Sequence, residues 1–506
     1  MPGPLQRIRE AAIDGRCQNV IYRQTQLEKL HNVLIDNSES VIQAIYRDGG
    51  NSIPEARVEY LLALMCLREY YASLDATKAL HEEYAVARGE DAPSLREGVG
   101  IVYIVPTTYS LFYSIVVPLS AAVAAGNCVV IELEKTLREV PSLLQRILKI
   151  ALDSDIFEIV SSRATDDELG LHHMKVLQRG SEEPATAMRL ISPSQAQVVA
   201  VVDRTANFSE AAKALVIARF GFGGRSPYAP DIVLVNEFCK KPFLNAVVEE
   251  TMKFATEFEL SKSSASTSQS EADSLMKELK RTDEIQVVTS IANCAVIEVN
   301  SRSSKTLSRK ISTRSLLVHS VKSLDDAIDL ANQNGELLAS YVFADLKASK
   351  YLSQFLGAHV SFVNQIPLEM LRESASIVMS STTMTSLVVL TTFVVGPAAP
   401  LSSPVERSTR YPTALFTVQR SRFVTPSVQS QLVRQTLHDP SFSASEKVLQ
   451  KVSDKLLPSV KRMKEGQVGF FEQGIFTGIG LIAMPALMGL GALGYYAVRF
   501  AMSRRS

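Results

Sequence analysis

The chain has 506 residues, 46% hydrophobic and 21% charged, enough to bury large cores in two or three domains. Lys+Arg and Asp+Glu are both 53, so the formal net charge is zero, which argues against a nucleic-acid binder with its basic surface. The seven histidines are scattered without a C-x-x-C or H-x-x-x-H pair, so no metal site is expected. Five widely spaced cysteines, Cys17, Cys66, Cys128, Cys239 and Cys294, fit a reducing compartment better than a disulfide framework.

The N-terminus, M-P-G-P-L-Q-R-I-R-E, has no apolar core of a secretory signal. From about Asn19 to Glu83 the pattern is helical, with Leu27, Leu30 and Leu34 recurring on one face. At Val99 the chain turns to V-G-I-V-Y-I-V-P, a β-branched run suited to a buried parallel strand. A helix-like stretch through Val116 to Ala125 follows, then a Gly-Asn turn into C-V-V-I-E. Strand, helix and strand at this spacing form a βαβ unit. A second α/β block opens with V-V-A-V-V-D near Val198. A helix over Ser209 to Phe220, a glycine-rich loop and the strand I-V-L-V complete it. The polar runs Ser261 to Ser270, Asn300 to Thr306 and Pro400 to Thr409 read as flexible insertions.

From Ile475 to Ala497 the sequence carries no charge, and Gly474 and Val498 extend this run by one residue at each end. At roughly 1.5 Å per residue it spans a hydrocarbon core of about 30 Å. Tyr495 and Tyr496 sit at one end, where amphipathic rings favour the interface. The alternative is a buried helix of the globular part, but the many glycines and Pro485 would weaken it there. The expectation is a single-pass C-terminal anchor with the bulk in the cytosol. The sequence does not choose among endoplasmic reticulum, mitochondrial outer membrane and peroxisome.

The loop Phe220 to Asp231 reads F-G-F-G-G-R-S-P-Y-A-P-D. It resembles the nucleophile segment F-x-x-x-G-Q-x-C-x-A-P-D of aldehyde dehydrogenases of the class 3 and fatty-aldehyde branch. The helix R-x-x-Q-L-x-x-L at Arg23 to Leu30, A-A-G-N at Ala124 to Asn127 and S-L-D-D-A-I from Ser323 resemble the same family, as does V-S-F-V-N ending at Asn364. The resemblance runs from about Asn19 to Pro400. It implies an α/β architecture with a Rossmann-type cofactor-like domain over 1–195, carrying an oligomerisation arm near 83–95. A catalytic-type α/β domain over 196–398, an arm and linker over 399–465 and a transmembrane helix over 474–498 complete the expected organisation.

The same resemblance marks departures at the site. The family's cysteine nucleophile falls on Pro227, which has nothing to ionise. Ser226 is a weak substitute, because a serine hydroxyl needs an adjacent base. The glutamate base falls on Pro193, and no carboxylate lies between Met188 and Val202. The oxyanion asparagine falls on Tyr109. The lysine that binds the adenosine ribose falls on Glu132, and the glutamate for the other ribose on Lys310. The F-T-G-S turn into the cofactor helix is not recognisable.

These departures imply a membrane-anchored relative without dehydrogenase activity, serving as binding, scaffold or regulatory partner, with no cofactor expected. An NAD(P)-dependent oxidoreductase of long-chain aldehydes with a rebuilt site is the alternative. A third reading is an accessory subunit pairing with an active paralogue. The family resemblance implies a homodimer, or a heterodimer with a related dehydrogenase.

Overall fold

The computed structural model describes residues 4–89, 98–179, 189–192, 195–260, 285–291, 293–371 and 421–423, with isolated positions 430, 433, 434, 436, 437 and 457. The division into compact parts falls after Leu457, and every described residue belongs to Met1–Leu457. The apolar run 474–498 lies outside the described residues. Among those that are described, no helix is long and apolar enough to cross a membrane.

The N-terminal part is helical: α1 (Pro4–Asp14), α2 (Val20–Asp36), α3 (Ser38–Gly49), α4 (Ile53–Ser73) and α5 (Ala76–Glu83). Leu27, Leu30 and Leu34 form the buried stripe of α2 that their spacing predicts. The α4 helix begins with a capping box: Ser52 and Glu55 satisfy each other's backbone N–H groups. Its Tyr60 stacks on Phe112 with ring centroids 5.8 Å apart, which binds this helical layer to the first sheet's covering helix.

The first sheet holds β1 (Ile101–Val105), β2 (Cys128–Glu132), β3 (Phe157–Val160), β4 (His173–Leu177) and β5 (Arg189–Ile191), in the order β3-β2-β1-β4-β5. All its pairings are parallel. Between β1 and β2 runs α6 (Leu111–Ala124), which starts five residues before the sequence-based estimate. Its end is closed by the Gly-Asn turn: Asn127 accepts from the Gly100 amide at 3.0 Å and donates to Ala122 O at 3.2 Å. Gly126 holds a φ of 88°, a region where glycine meets no Cβ penalty. After β2 come α7 (Glu139–Ala151) and, beyond β3, the single turn α8 (Asp166–Leu169).

The second sheet follows after residue 195. It comprises β6 (Val198–Val202), β7 (Ile232–Asn236), β8 (Ile285–Ile291), β9 (Cys294–Val299), β10 (Ser315–Val321), β11 (Leu337–Phe343), β12 (Ala358–Val363) and β13 (Ser421–Phe423). Their order is β13-β12-β11-β6-β7-β10-β9-β8. Only the β8–β9 pair is antiparallel. The helices α9 (Phe208–Phe220), α10 (Lys240–Leu260), α11 (Leu324–Asn332) and α12 (Leu346–Phe355) alternate with these strands. The central strands are buried along their whole length, as β-branched runs covered on both faces must be. The polar run at Asn300 to Thr306, expected to be flexible, instead forms a turn. Ser304 caps it by accepting from the Thr306 amide, and Arg302 pairs with Asp326.

One carboxylate pins the β3–β4 connection to the first sheet. Asp166 pairs with Lys175 of β4 and, at 2.8 Å, with Arg189 of β5. The Lys175 bond, followed by that of Arg189, holds its carboxyl at about 2, below the ordinary 3.8. Because the folded value is depressed, this stabilisation is present above 3.8 and fades as pH falls toward 2. Asp166→Asn should therefore lower the urea midpoint at about pH 6 and flatten its fall on acidification. An unchanged acid limb in the variant would refute this role.

Candidate functional site

The loop after α9 is held by buried charge. It leaves the helix at Phe220 and passes through Phe222 (φ 54°), Gly223 (φ 73°) and Gly224 (φ 69°), all left-handed. Phe222 is not a residue that adopts this region freely. Its amide donates to Glu55 Oε1 at 2.6 Å, so α4 clamps the strained position. At Gly224 any side chain is excluded by space as well as by φ, since an added Cβ would lie 2.5 Å from Thr313 O.

Beneath the loop lies Arg219, fully buried on the last turn of α9. Its guanidinium donates to Gly224 O, Ile311 O (2.8 Å), Thr313 O (3.1 Å) and Pro230 O (3.3 Å). Asp231, with no exposed surface, stands 3.6 Å away. Its Oδ2 accepts from the Val198 amide at 2.8 Å and from Lys310 at 2.9 Å, and its Oδ1 accepts from the Ile311 amide at 2.9 Å. Burial pushes the Arg219 guanidinium down to about 10, partly opposed by Asp231.

Lys310, expected at a ribose-binding position, is part of this cluster. Its ammonium donates to Asp231, to Pro227 O at 2.6 Å and to Ala196 O at 3.0 Å. An ammonium has three hydrogens, and all three are used. Burial pushes the Lys310 amine down, while Asp231 draws it back. The structure thus joins two sequence-marked positions directly, Lys310 and the backbone of Pro227. Ser226 is 1% exposed, and among the described residues its Oγ meets the Tyr228 amide at 3.2 Å. No general base adjoins it there. Cys239 is a packed thiol: it donates to Asn236 O at 3.2 Å, and burial pushes its pKa up.

The remaining marked positions lie elsewhere. Glu132, at the end of β2, accepts from the Tyr103 hydroxyl at 2.6 Å, and that hydroxyl accepts from the Ala164 amide at 3.0 Å. Burial, then Glu132, drives the Tyr103 phenol pKa upward. Tyr109 is half-buried and lines a cavity of about 20 Å³ with Asn51, Glu59 and Phe112. That volume suits one water molecule. Pro193 lies outside the described residues.

A further group escaped the sequence reading. In the first sheet β1 connects toward β2 on one side, while β4 connects toward β5 on the other. The crevice at the carboxyl ends of β1 and β4 is therefore the topological switch point, where such sheets bind ligands. Arg179, two residues past β4, crosses it: Nε donates to Pro106 O at 2.8 Å and Nη1 to Glu134 at 2.7 Å. The Arg179 bond holds the Glu134 carboxyl below its ordinary value. Gln178 beside it donates to Ser114 O at 2.7 Å. Ser114 lies four residues before Pro118, which has no N–H to offer that carbonyl. Only the proline inside α6 could have hinted at this partner.

The aldehyde dehydrogenase family profile matches residues 9–373. The chain belongs to the aldehyde dehydrogenase family. It is 32% identical over 165 residues to mouse (Mus musculus) aldehyde dehydrogenase family 3 member B1, a match covering 31% of this chain and 34% of that protein. Thus the alignment with this relative spans about a third of the relative's length. It is 23% identical over 369 residues to the dimeric NADP-preferring aldehyde dehydrogenase of Rattus norvegicus, covering 67% of this chain and 80% of that one. Among solved structures, the substrate-bound state of Staphylococcus aureus AldH superposes with a TM-score of 0.60 at 16% identity. It covers 74% of this chain and 89% of that one, a likeness of fold. The mouse and rat relatives support the class 3 affiliation that the loop motif implied.

Two substitutions test the family loop. Gly224→Ala should cost more than the roughly 1–2 kcal/mol of an unclashed left-handed alanine, because its Cβ meets backbone. Lys310→Met should cost about 3–5 kcal/mol by removing one partner of a buried carboxylate. Urea unfolding of each variant measures both, and near-wild-type midpoints would remove the structural role assigned to the loop.

Proposed function

We propose that this family member is a membrane-anchored protein that does not oxidise aldehydes and acts as a binding, scaffold or regulatory partner. The observation that carries the reading is the bond from Lys310 to the carbonyl of Pro227. At the position of the family's nucleophile stands a residue with no reactive atom. At the position of a ribose ligand stands a cation whose three hydrogens are spent on protein oxygens. One missing group can leave residual catalysis, but losing nucleophile and base together removes the chemistry.

The fold implies a nicotinamide dinucleotide, and the residues present do not fit it. A pyrophosphate calls for free backbone amides, a close-approach glycine and no nearby anion. At the switch point stand instead Gln178, committed to Ser114, and Arg179, committed to Pro106 and Glu134. The ionised Glu134 would face the phosphates. Glu132, in place of a ribose-binding lysine, is occupied by Tyr103.

The apolar, uncharged run 474–498 supports the membrane anchor. Family membership supports pairing, as homodimer or with an active paralogue. The word "dimeric" belongs to the rat relative's name.

A ligand present at about 100 times its Kd would stabilise the fold by about 2.7 kcal/mol. Millimolar NAD or NADP should leave the melting temperature of the full chain unchanged. A cofactor-dependent rise, or aldehyde-dependent reduction of NAD that disappears in Ser226→Ala, would overturn the reading. Alkaline extraction of membranes should leave the full chain in the pellet, and its recovery in the supernatant would sink the anchor.

A further inference from the structure

Two cysteines that play no part in the family site lie against each other. Cys17 and Cys128 are 111 residues apart in sequence, and their sulfurs are 3.8 Å apart. Both are buried, at 5% and 1% exposure. Cys17 sits in a single turn, Arg16–Gln18, between α1 and α2, directly after Gly15 with φ 69°. Cys128 is the first residue of β2. We propose that Cys17 is a peroxide-reactive thiol and that Cys128 resolves it, forming a disulfide that staples the N-terminal helices to the first sheet.

The surroundings divide the roles. The Cys128 thiol hydrogen-bonds Cys17 and favours its thiolate, while burial opposes and Arg16 and Arg23 add positive charge. The same bond pushes the Cys128 thiol up. A thiolate is the nucleophile, and one beside arginines is the more reactive of such a pair. Arg23 donates to Gln18 O at 3.1 Å and to Ala124 O at 2.7 Å, which holds its guanidinium beside the Cys17 turn. Arg16 and Asn19, which bracket the Cys17 turn, line an open cavity of about 750 Å³ with Tyr22, Lys29 and Asp153.

The step balances with hydrogen peroxide as oxidant. The Cys17 thiolate attacks one peroxide oxygen, so an S–O bond forms, the O–O bond breaks and hydroxide leaves. Hydroxide takes the Cys128 proton and becomes water. The Cys128 thiolate then attacks the Cys17 sulfur, so the S–S bond forms and the S–O bond breaks. The second hydroxide takes the proton that Cys17 had released. Two thiols are oxidised by two electrons and peroxide is reduced to two waters. The sulfurs must close from 3.8 Å to a bond of about 2 Å.

The test treats the folded full chain with hydrogen peroxide, quenches it in acid, alkylates, digests and reads the peptides by mass spectrometry. A Cys17–Cys128 linked peptide should appear and vanish on reduction. In Cys128→Ser, a dimedone adduct should accumulate on Cys17, about tenfold above the adduct on half-buried Cys66. Cys17→Ala should leave Cys128 unoxidised. Oxidation of Cys66 ahead of Cys17 in the wild-type chain, or a Cys128 adduct undiminished in Cys17→Ala, would overturn the proposal.

Discussion

The carboxylate of Asp231 is the point on which the second half of the fold is assembled. It is sealed from water, and an isolated charge there would be prohibitively costly. It is tolerated because its two oxygens meet the amides of Val198 and Ile311 and the ammonium of Lys310, with Arg219 close by. Those partners come from the start of β6, the turn before β10 and the end of α9. One carboxylate therefore fixes where three distant segments must meet.

The cluster also carries an unbalanced charge: two cations face one carboxylate. The excess is spread over backbone carbonyls of residues 196, 224, 227, 230, 311 and 313. Carbonyl dipoles converging on a cation offset its lost hydration, and they can do so only if the loops holding them stay in place. These bonds hold a glycine-rich loop with three consecutive left-handed residues in place. They also bind that loop to a packing task. The carbonyls of Gly224, Pro227 and Pro230 are engaged by the buried cations Arg219 and Lys310.

The first sheet shows a similar arrangement at its topological switch point. Pro118 leaves the Ser114 carbonyl without a helical donor, and Gln178 supplies one. That places Arg179 at the carboxyl ends of β1 and β4, where it reaches Pro106 and Glu134. A proline in a helix and an arginine after a strand, remote in sequence, thus occupy the switch point together.

Much of this architecture is readable from residues alone. The leucine stripe of α2, the β-branched runs and the Gly-Asn turn depend on periodicity and local backbone preference, which a neighbour-by-neighbour reading captures. The ordered motifs from A-A-G-N to A-P-D carry the family affiliation in the same way. The positions of Pro227, Tyr109, Glu132 and Lys310 were legible as departures from a pattern. Their partners were not. That Lys310 would turn its ammonium to Pro227 O, that Glu55 would hold Phe222, or that Arg179 would cross a crevice depends on contacts between segments tens to more than a hundred residues apart. Such contacts leave no local signature, because a buried charge chooses its partner by three-dimensional proximity and desolvation, and those exist only once the chain has folded.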